Sequence, residues 1–372
     1  MISRRAVIPA ILAPALACRK RRGTGFTGYA FVANEEGQAI AAVDLTSFAL
    51  ARHIPLPARP TAVAAHPWRT SIYALTPQTG TVYEIDASNL ALARRVQVAR
   101  GAVSMRLSPD GNALWVLCSE PSQLVRIRVD LMQAGPRIAL APAPRDFDIS
   151  RDGQFCAVSF GEDGGVTLFD LATRRAVASA RIGGFAGVVR FRSDGKCCLA
   201  ADSAERAISI LEAPSARTIV RLPLAMRPEN LCFSGDGGQL FVTGEGMDAV
   251  AIIYPFTTEV AGTFLAGRTP GAMAASAAVD QQYLFVANTQ SGDVTIFDID
   301  MQRVIASVAV GEEPACITVT PDSQYALVLN RRSGNMAVIR TAAVVPRRTR
   351  SAPLFTMIPV GSKPVSAAVR GV

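Results

Sequence analysis

The sequence predicts an all-β protein: a β-propeller of about eight four-stranded blades, closed by pairing of the C-terminal strand with the N-terminal blade. Two periodic markers carry this prediction. A position first held by Asp44 recurs every 42 residues with a single two-residue insertion, and a turn position first held by Pro67 follows the same period with the same insertion. Two unrelated markers with one period indicate a repeated unit. A unit of this length with four short strands is typical of a propeller blade.

The first marker falls at Asp44, Asp86, Arg128, Asp170, Glu212, Tyr254, Asp298 and Arg340, and the second at Pro67, Pro109, Arg151, Ser193, Gly235, Val279 and Pro321. Between the markers lie short segments that are apolar on both faces, such as Leu240–Thr243, and turn signals such as Ser108-Pro-Asp-Gly111. Strands of this kind suit sheets packed between two neighbouring sheets.

The ends of the repeat array predict how the ring closes. The array begins with a second strand, 29–34, and ends with a first strand, 363–369, so pairing these strands leaves no open edge at the termini. Eight copies of each strand type favour eight blades. The last copy is irregular, because 24 residues separate Arg340 from Pro364 whereas 16 separate Asp44 from Pro60. Seven blades with a displaced last unit is therefore the alternative.

Several short motifs give the repeat a resemblance to a known family. Phe31-Val-Ala-Asn34, Val294-Thr-Ile-Phe-Asp298, Val310-Gly-x-x-Pro314 and Ser108-Pro-Asp-Gly111 together resemble YVTN-family repeats over residues 29–370. The resemblance implies a propeller fold. It leaves function open, because such propellers occur in surface proteins, in binding modules and in a few enzyme-like or cofactor-binding relatives.

The N-terminus has the pattern of an export signal. Ser3-Arg4-Arg5 precedes a 12-residue apolar run, and Ala15-Leu-Ala-Cys18 resembles a bacterial lipobox. We therefore expect an export signal at 1–17, a lipid-anchored tether at 18–28 that starts at lipidated Cys18, and a propeller at 29–372. The expected location is the periplasm or cell envelope, with the membrane reached only through the lipid. An ordinary signal peptide with an incidental cysteine is the alternative.

The charge distribution argues against a nucleic-acid partner. The net charge is +8, but residues 1–22 hold six lysines and arginines and no acid, so the rest of the chain is nearly neutral. A basic footprint on the body is therefore absent.

Propeller connections alternate between two faces. We call the face with the Ser-Pro-Asp-Gly turns the turn face, and the face with the loops between blades the loop face. On the loop face a basic ring near the axis is predicted, formed by Arg59, Arg100, Arg227, Arg268 and Lys363. Such a ring would bind an anionic ligand or an acidic peptide. A solvated surface with local ion pairs is the alternative.

Residues for other chemistry are few. The two histidines, His53 and His66, have no metal-ligand spacing, so no metal, catalytic residue or cofactor is expected. Asp146 and Asp148 are alternate residues of one strand and share a face. Asp at the Asp298-type position is expected to cap a turn. The six cysteines beyond Cys18 are expected to be small buried hydrophobes, and Gly-x-Gly-x-x-Gly at 23–28 lacks the helix that nucleotide binding needs.

These features predict a non-catalytic, monomeric binding or scaffold module, not an enzyme, whose partner is an unidentified protein or anionic ligand. One alternative is an enzyme or cofactor-binding propeller that resembles lactonase-type propellers or the haem domain of nitrite reductases. Another is homotypic adhesion at the cell surface.

Overall fold

The computed structural model describes residues 25–277, 282–344 and 352–371. These residues form eight four-stranded antiparallel sheets in a ring, which confirms the predicted propeller and makes the seven-blade alternative wrong. The only helical element among the described residues is one 3₁₀ turn, Thr341–Ala343. No described helix has the length and apolar character needed to cross a membrane. The predicted export signal, Cys18 and most of the tether lie outside the described residues.

The blades are numbered from the N-terminus. Blade 1 contains β1 (Gly28–Asn34), β2 (Ala39–Asp44), β3 (Ala49–Pro55) and the last strand of the chain, β32 (Pro364–Gly371). Blade 2 contains β4 (Ala62–Ala65), β5 (Ser71–Thr76), β6 (Thr81–Asp86) and β7 (Ala91–Gln97). Blade 3 contains β8 (Arg100–Leu107), β9 (Ala113–Glu120), β10 (Ser122–Arg128) and β11 (Gln133–Ala139). Blade 4 contains β12 (Pro144–Ile149), β13 (Phe155–Phe160), β14 (Gly165–Asp170) and β15 (Arg175–Arg181).

The second half of the ring follows the same plan. Blade 5 contains β16 (Ala186–Phe191), β17 (Cys197–Asp202), β18 (Ala207–Glu212) and β19 (Thr218–Pro223). Blade 6 contains β20 (Arg227–Phe233), β21 (Leu240–Glu245), β22 (Ala249–Tyr254) and β23 (Glu259–Leu265). Blade 7 contains β24 (Pro270–Ala275), β25 (Tyr283–Asn288), β26 (Asp293–Asp298) and β27 (Arg303–Ala309). Blade 8 contains β28 (Pro314–Val319), β29 (Tyr325–Asn330), β30 (Asn335–Arg340) and β31 (Leu354–Pro359).

The ring is closed by the two ends of the described chain. β1 pairs with β32 in antiparallel register, with Tyr29 opposite Arg370 and Val32 opposite Ala367. The first strand of every blade contacts the first strand of the next, from β32 through β4 and round to β28, which contacts β32 again. Closure therefore removes the open sheet edge that β1 would otherwise present.

The core is divided between the blades. The described residues form eight apolar clusters, each of them between two consecutive blades. Between blades 7 and 8, for example, Phe285 and Ile339 are fully buried. Burying one such side chain contributes about 2–3 kcal/mol. The fourth strands face solvent, and the first strands, which are half-buried, line a central channel. This arrangement explains why the second and third strands are apolar on both faces.

The turn chemistry separates the two faces as predicted. On the turn face, Asp44 accepts a 2.8 Å hydrogen bond from the Thr46 amide, and Asp298 accepts one of 2.9 Å from the Met301 amide. Asp at this position is therefore a turn cap. On the loop face, the end of each second strand meets the start of the first strand of its own blade, as Asn330 meets Pro314.

The Val-Gly-x-x-Pro motif has a steric cause at the loop face. Gly361 has φ of +126°, and a Cβ added there would lie 2.8 Å from Nδ2 of Asn34. That amide donates a 2.6 Å hydrogen bond to the carbonyl of Val360. The same arrangement recurs between Gly311 and Asn330. Glycine is thus needed because the asparagine of the next blade closes over the loop between blades.

Candidate functional site

Four charged side chains on the first strands of three blades contact one another in ion pairs, and we call them the polar sector. It consists of Arg106 on β8, Asp146 and Asp148 on β12, and Arg190 on β16. Arg106, Asp148 and Arg190 are one 42-residue period apart, so they occupy the same level of three consecutive blades. Asp146 lies two residues nearer the loop face on the same strand. The repeat itself therefore brings together charges that are remote in sequence.

Ion pairs join the three blades of the polar sector. Arg190 Nη1 lies 2.5 Å from Asp146 Oδ2, and Arg106 lies 3.5 Å from Asp146 and 3.6 Å from Asp148. The side chains are between 13% and 30% exposed, so they remain open to the channel. Such pairs, partly removed from water, act at a lower effective dielectric than surface pairs and are less screened by salt.

Backbone groups orient both carboxylates. The Val189 amide donates to Asp146 Oδ2 at 3.2 Å, and the Phe191 amide donates to Asp148 Oδ2 at 2.8 Å. Arg106 Nε donates to the Phe147 carbonyl at 2.6 Å. The polar sector is consequently held by β-strands and not by mobile side chains alone.

Burial gives Asp148 unusual acid–base properties. Desolvation raises its pKa above the ordinary value of 3.8, although Arg106, Arg190 and the Phe191 amide act in the opposite direction. A buried carboxyl group with a raised pKa is a common feature of groups that donate or accept protons.

The other blades differ at the two aspartate positions. The equivalents of Asp148 outside the polar sector are Ala64, Cys232, Ala274, Thr318 and Ala368, and those of Asp146 are Ala62, Ser104, Val188, Asn230, Ala272, Cys316 and Ser366. Small or uncharged residues therefore satisfy the propeller fold at these levels. Buried ion pairs often add no stability over apolar residues of similar volume. Folding therefore does not explain why blades 3 to 5 carry the charged side chains of the polar sector.

A cavity of about 640 Å³ adjoins the polar sector at the loop face. Its lining includes Arg145, Asp146, Phe185, Arg190 and Glu229. Ser104 also lines it, and the Ser104 hydroxyl is buried without a hydrogen-bond partner among the described residues. This volume falls in the range of small-molecule sites, and its charged and aromatic groups provide polar recognition.

The predicted basic ring lies on the loop face, but its members are not alike. Arg227 pairs with Glu245 at 3.2 Å, and Lys363 pairs with Glu35 at 3.0 Å. The remaining three members, which are exposed, make no side-chain ion pair among the described residues: Arg59, Arg100 and Arg268. Two of the five charges are thus neutralised locally, and the ring as a ligand site stays a prediction.

Neither histidine is part of the polar sector. His53 is exposed on the outer strand β3. His66 is buried in a turn, where its Nδ1 accepts hydrogen bonds from the amides of Trp68 and Arg69 and its Nε2 lies 3.0 Å from the Gly111 carbonyl. Both ring nitrogens of His66 are therefore engaged, Nδ1 in its own turn and Nε2 at the neighbouring turn of blade 3. Within the described residues, no group of three or more His, Cys, Asp or Glu side chains is placed to hold a metal ion.

The cysteines and the glycine-rich motif have structural positions. The six described cysteines are free thiols. Four lie buried on strands of blades 3 to 5: Cys118, Cys156, Cys197 and Cys198. Cys232 and Cys316, on the inner strands β20 and β28, are half-buried. Burial raises the pKa of the Cys118 thiol to about 11, so it stays protonated.

Of the glycine-rich motif, residues 25–28 lead directly into β1, and positions 23 and 24 lie outside the described residues.

No family model matches the chain, and no curated protein matches it. The resemblance to YVTN repeats therefore stays a prediction. The fold is nevertheless shared with solved structures. Hydrazine synthase of Kuenenia stuttgartiensis matches with a TM-score of 0.61 at 20% identity, covering 76% of this chain and 96% of that chain. The dihydro-heme d1 dehydrogenase NirN, in complex with DHE, matches with a TM-score of 0.73 at 15% identity, covering 95% of this chain and 78% of that chain.

A third structure, a protein of unknown function from Desulfotomaculum acetoxidans, matches with a TM-score of 0.59 at 14% identity and covers 76% of this chain and 96% of that chain. At these identities the likeness shows the fold alone.

The comparison corrects one prediction. The chain was expected not to be an enzyme, but two of the similar propellers are named as enzymes. The expectation depended on the scarcity of histidines and of clustered acids. It overlooked that residues one period apart meet in the channel, so Arg106, Asp148 and Arg190 form a cluster that spacing along the chain does not reveal. An alignment of the first strands of the eight blades, position by position, would have shown that these three residues are charged where most other blades are not.

Proposed function

We propose that this chain is an enzyme or cofactor-binding propeller that binds a small polar molecule in the channel, against the polar sector. The observation that carries the proposal is the contrast between blades. Arg106, Asp146, Asp148 and Arg190 form one ion-paired cluster, and Asp146 and Arg190 line the cavity, at levels where most other blades have small uncharged residues. In the proposed role, the arginines orient anionic or carbonyl groups of the ligand.

Asp148 is the group we assign to proton transfer. Its raised pKa favours a proton-carrying form at a higher pH than an exposed aspartate allows. Asp146, paired with both arginines at 2.5 and 3.5 Å, holds the guanidinium groups in place. The two carboxylates thus have different environments and different proposed tasks.

The name of the NirN structure suggests testing whether this chain fits a haem group. Haem iron in proteins is commonly held by a histidine, but His53 lies on the outer strand β3 and both ring nitrogens of His66 are engaged in hydrogen bonds. Thiolate ligation is also disfavoured, because burial raises the pKa of Cys232 and of Cys316, the two cysteines on inner strands, to about 11. The described residues therefore do not fit a histidine- or thiolate-ligated haem in the channel.

Native mass spectrometry of the protein purified from its own envelope tests the proposal. The wild type is expected to carry a small-molecule mass that the Asp146→Ala/Asp148→Ala variant loses. Asp148→Asn is expected to keep the molecule but to lose its conversion to product. A matched triple variant, Arg59→Ala/Arg227→Ala/Arg268→Ala, separates the channel from the basic ring. Loss of the molecule in the triple variant with retention in the aspartate variant would place the ligand at the ring and overturn the proposal.

The setting we propose is the bacterial cell envelope, with the propeller tethered through lipidated Cys18. The support is the sequence pattern of residues 1–18, with its arginine pair, short apolar run and terminal cysteine. Mass spectrometry of the mature N-terminus is expected to find a diacylglyceryl cysteine as the first residue. A mature chain that begins elsewhere, without lipid, would contradict the anchoring.

A further inference from the structure

The first turn of blade 2 departs from the pattern of the other blades. The aspartate of the Ser-Pro-Asp-Gly turn recurs as Asp110, Asp152, Asp194, Asp236 and Asp322, and in the first of these turns it accepts a hydrogen bond from the amide two residues later. In blade 2 the same position holds Trp68, which is 65% exposed. The next position, a glycine in four of these turns, is the exposed residue Arg69.

His66 makes this departure compatible with the fold. Its Nδ1 accepts hydrogen bonds from the amides of Trp68 at 3.1 Å and Arg69 at 2.9 Å. The histidine thus supplies this turn with a side-chain cap of its own, at amides other than the one the aspartate caps in the other turns, and the side chain at position 68 is not needed as a cap. The exposed Arg69 follows Trp68 in this turn, and Arg370 donates a hydrogen bond to the Pro67 carbonyl, so an aromatic and two basic side chains share this part of the turn face.

The chain direction puts this turn beside the N-terminal tether. β1 begins at Gly28 on the turn face, and Phe26 lies against the turn between β2 and β3, where its carbonyl accepts a 3.4 Å hydrogen bond from the Thr46 hydroxyl. A Cβ on Gly371 would lie 3.4 Å from the Phe26 ring, and the adjacent Arg370 donates a 2.7 Å hydrogen bond to the Pro67 carbonyl. The contacts run without a break from the tether to the turn of Trp68.

The tether limits how far the turn face can lie from the lipid. Seven residue steps connect Cys18 with Gly25, which allows about 25 Å at full extension. Gly25 precedes β1, which begins on the turn face. A lipid on Cys18 therefore keeps this part of the turn face within about 25 Å of the bilayer.

We propose that the turn face around Trp68, Arg69 and Arg370 docks on an anionic phospholipid surface, with the channel opening directed away from the membrane. The inference rests on the proposed lipid anchor at Cys18. Tryptophan prefers the interface between headgroups and acyl chains, and arginine side chains attract lipid phosphates. Trp68 supplies the first property, and Arg69 and Arg370 supply the second. The docking would leave the loop-face cavity accessible to soluble molecules.

Quenching of tryptophan fluorescence by lipids tests the docking, because the chain has only two tryptophans, Trp68 and Trp115. Full-length lipidated protein is reconstituted on vesicles of phosphatidylethanolamine and phosphatidylglycerol with brominated acyl chains. In Trp115→Phe, which retains Trp68 alone, quenching of about twofold is expected. In Trp68→Phe, the remaining Trp115 is 3% exposed between blades 3 and 4, and little quenching is expected. Circular dichroism checks that both variants are folded.

The outcomes distinguish the docking from the anchor. Vesicle flotation of the protein with quenching of Trp68 supports the proposal. Flotation without quenching of Trp68 overturns the docking and leaves the anchor standing. Failure of the full-length protein to float shows that the anchor is wrong, and the docking proposal falls with it. Trp68→Asp, which restores the residue of the other turns, should float through its lipid and show no quenching beyond that of Trp115.

Discussion

Arg190 donates a 2.5 Å hydrogen bond to Asp146 across the boundary between blades 4 and 5. Arg106 approaches the same carboxylate from blade 3 at 3.5 Å. One aspartate therefore joins two arginines of two other repeats, and the channel acquires its polar sector from three separate 42-residue units.

Removing only the shared aspartate should destabilise the propeller. Asp146→Ala removes the ion-pair partner of the half-buried Arg190 and one of the two carboxylate partners of Arg106, and we expect a loss of about 3 kcal/mol in the free energy of unfolding. Chemical denaturation measured by circular dichroism checks this. Asp130→Ala, at an exposed ion pair with Arg128, is the matched control and should change stability by less than about 1 kcal/mol. Equal effects of the two variants would contradict the pairing described here.

The pH dependence of stability reports on Asp148. Because its pKa is raised in the folded protein, its contribution to stability is fully present below the ordinary value of 3.8 and is lost as the pH rises through the raised pKa. Relative to Asp148→Asn, which cannot ionise, the wild type should therefore lose stability on going from acid to neutral pH. Denaturation curves of both proteins across this range measure the difference.

Asp86 provides the control of opposite sign. The Ser88 amide lowers the pKa of Asp86, so its contribution is present above 3.8 and is lost as the pH falls through the lowered pKa. The wild type should gain stability relative to Asp86→Asn as the pH rises. The same sign of slope for Asp86 and Asp148 would refute the assigned environment of Asp148.

The turn at His66 should be sensitive to acid. Burial lowers the pKa of His66, and protonation of Nδ1 would remove the acceptor for two amides. The contribution of His66 is present above its ordinary value of 6.5 and is lost as the pH falls below it. His66→Ala should cost about 2 kcal/mol at pH 8 and less at pH 5. His53→Ala, on the exposed outer strand, should be nearly neutral at both pH values, and a similar cost there would argue against a special role for the turn.

Gly361 tests the steric explanation of the loop between blades. Gly361→Ala places a Cβ against Asn34 and imposes a backbone conformation that alanine disfavours, so we expect a loss of about 2–3 kcal/mol. Gly262→Ala is the control, because a Cβ there meets nothing within 4 Å on the outer strand β23. Thermal unfolding of the two variants gives the comparison, and an unaffected Gly361 variant would show that the loop can move aside.

The fold was predictable because every repeat obeys the same local rules. The period of 42 residues, the Asp44-type turn caps and the strands apolar on both faces all depend on neighbours in sequence or on the adjacent blade. The pairing of β1 with β32 followed from which strand type stands at each end. The blade count followed as well, although the last repeat is irregular.

The polar sector was not predictable from spacing alone. Asp146 and Asp148 were recognised as a pair on one strand, but their arginine partners lie about one period away on either side. In the basic ring, the ion pairs of Arg227 and Lys363 depend on loop conformations that the repeat pattern does not specify. The role of His66 was missed for a related reason, since a turn without aspartate gives no sign of what replaces the cap.

The most direct test of the central claim replaces the whole polar sector. The variant Arg106→Met/Asp146→Ala/Asp148→Ala/Arg190→Met removes every charge of the cluster together, so no buried charge is left unpaired, and its stability should lie within about 1 kcal/mol of the wild type. Native mass spectrometry of this variant, purified from the same envelope as the wild type, is the decisive measurement. The account predicts a folded propeller that has lost the small molecule carried by the wild type. A folded variant that still carries the molecule would contradict it.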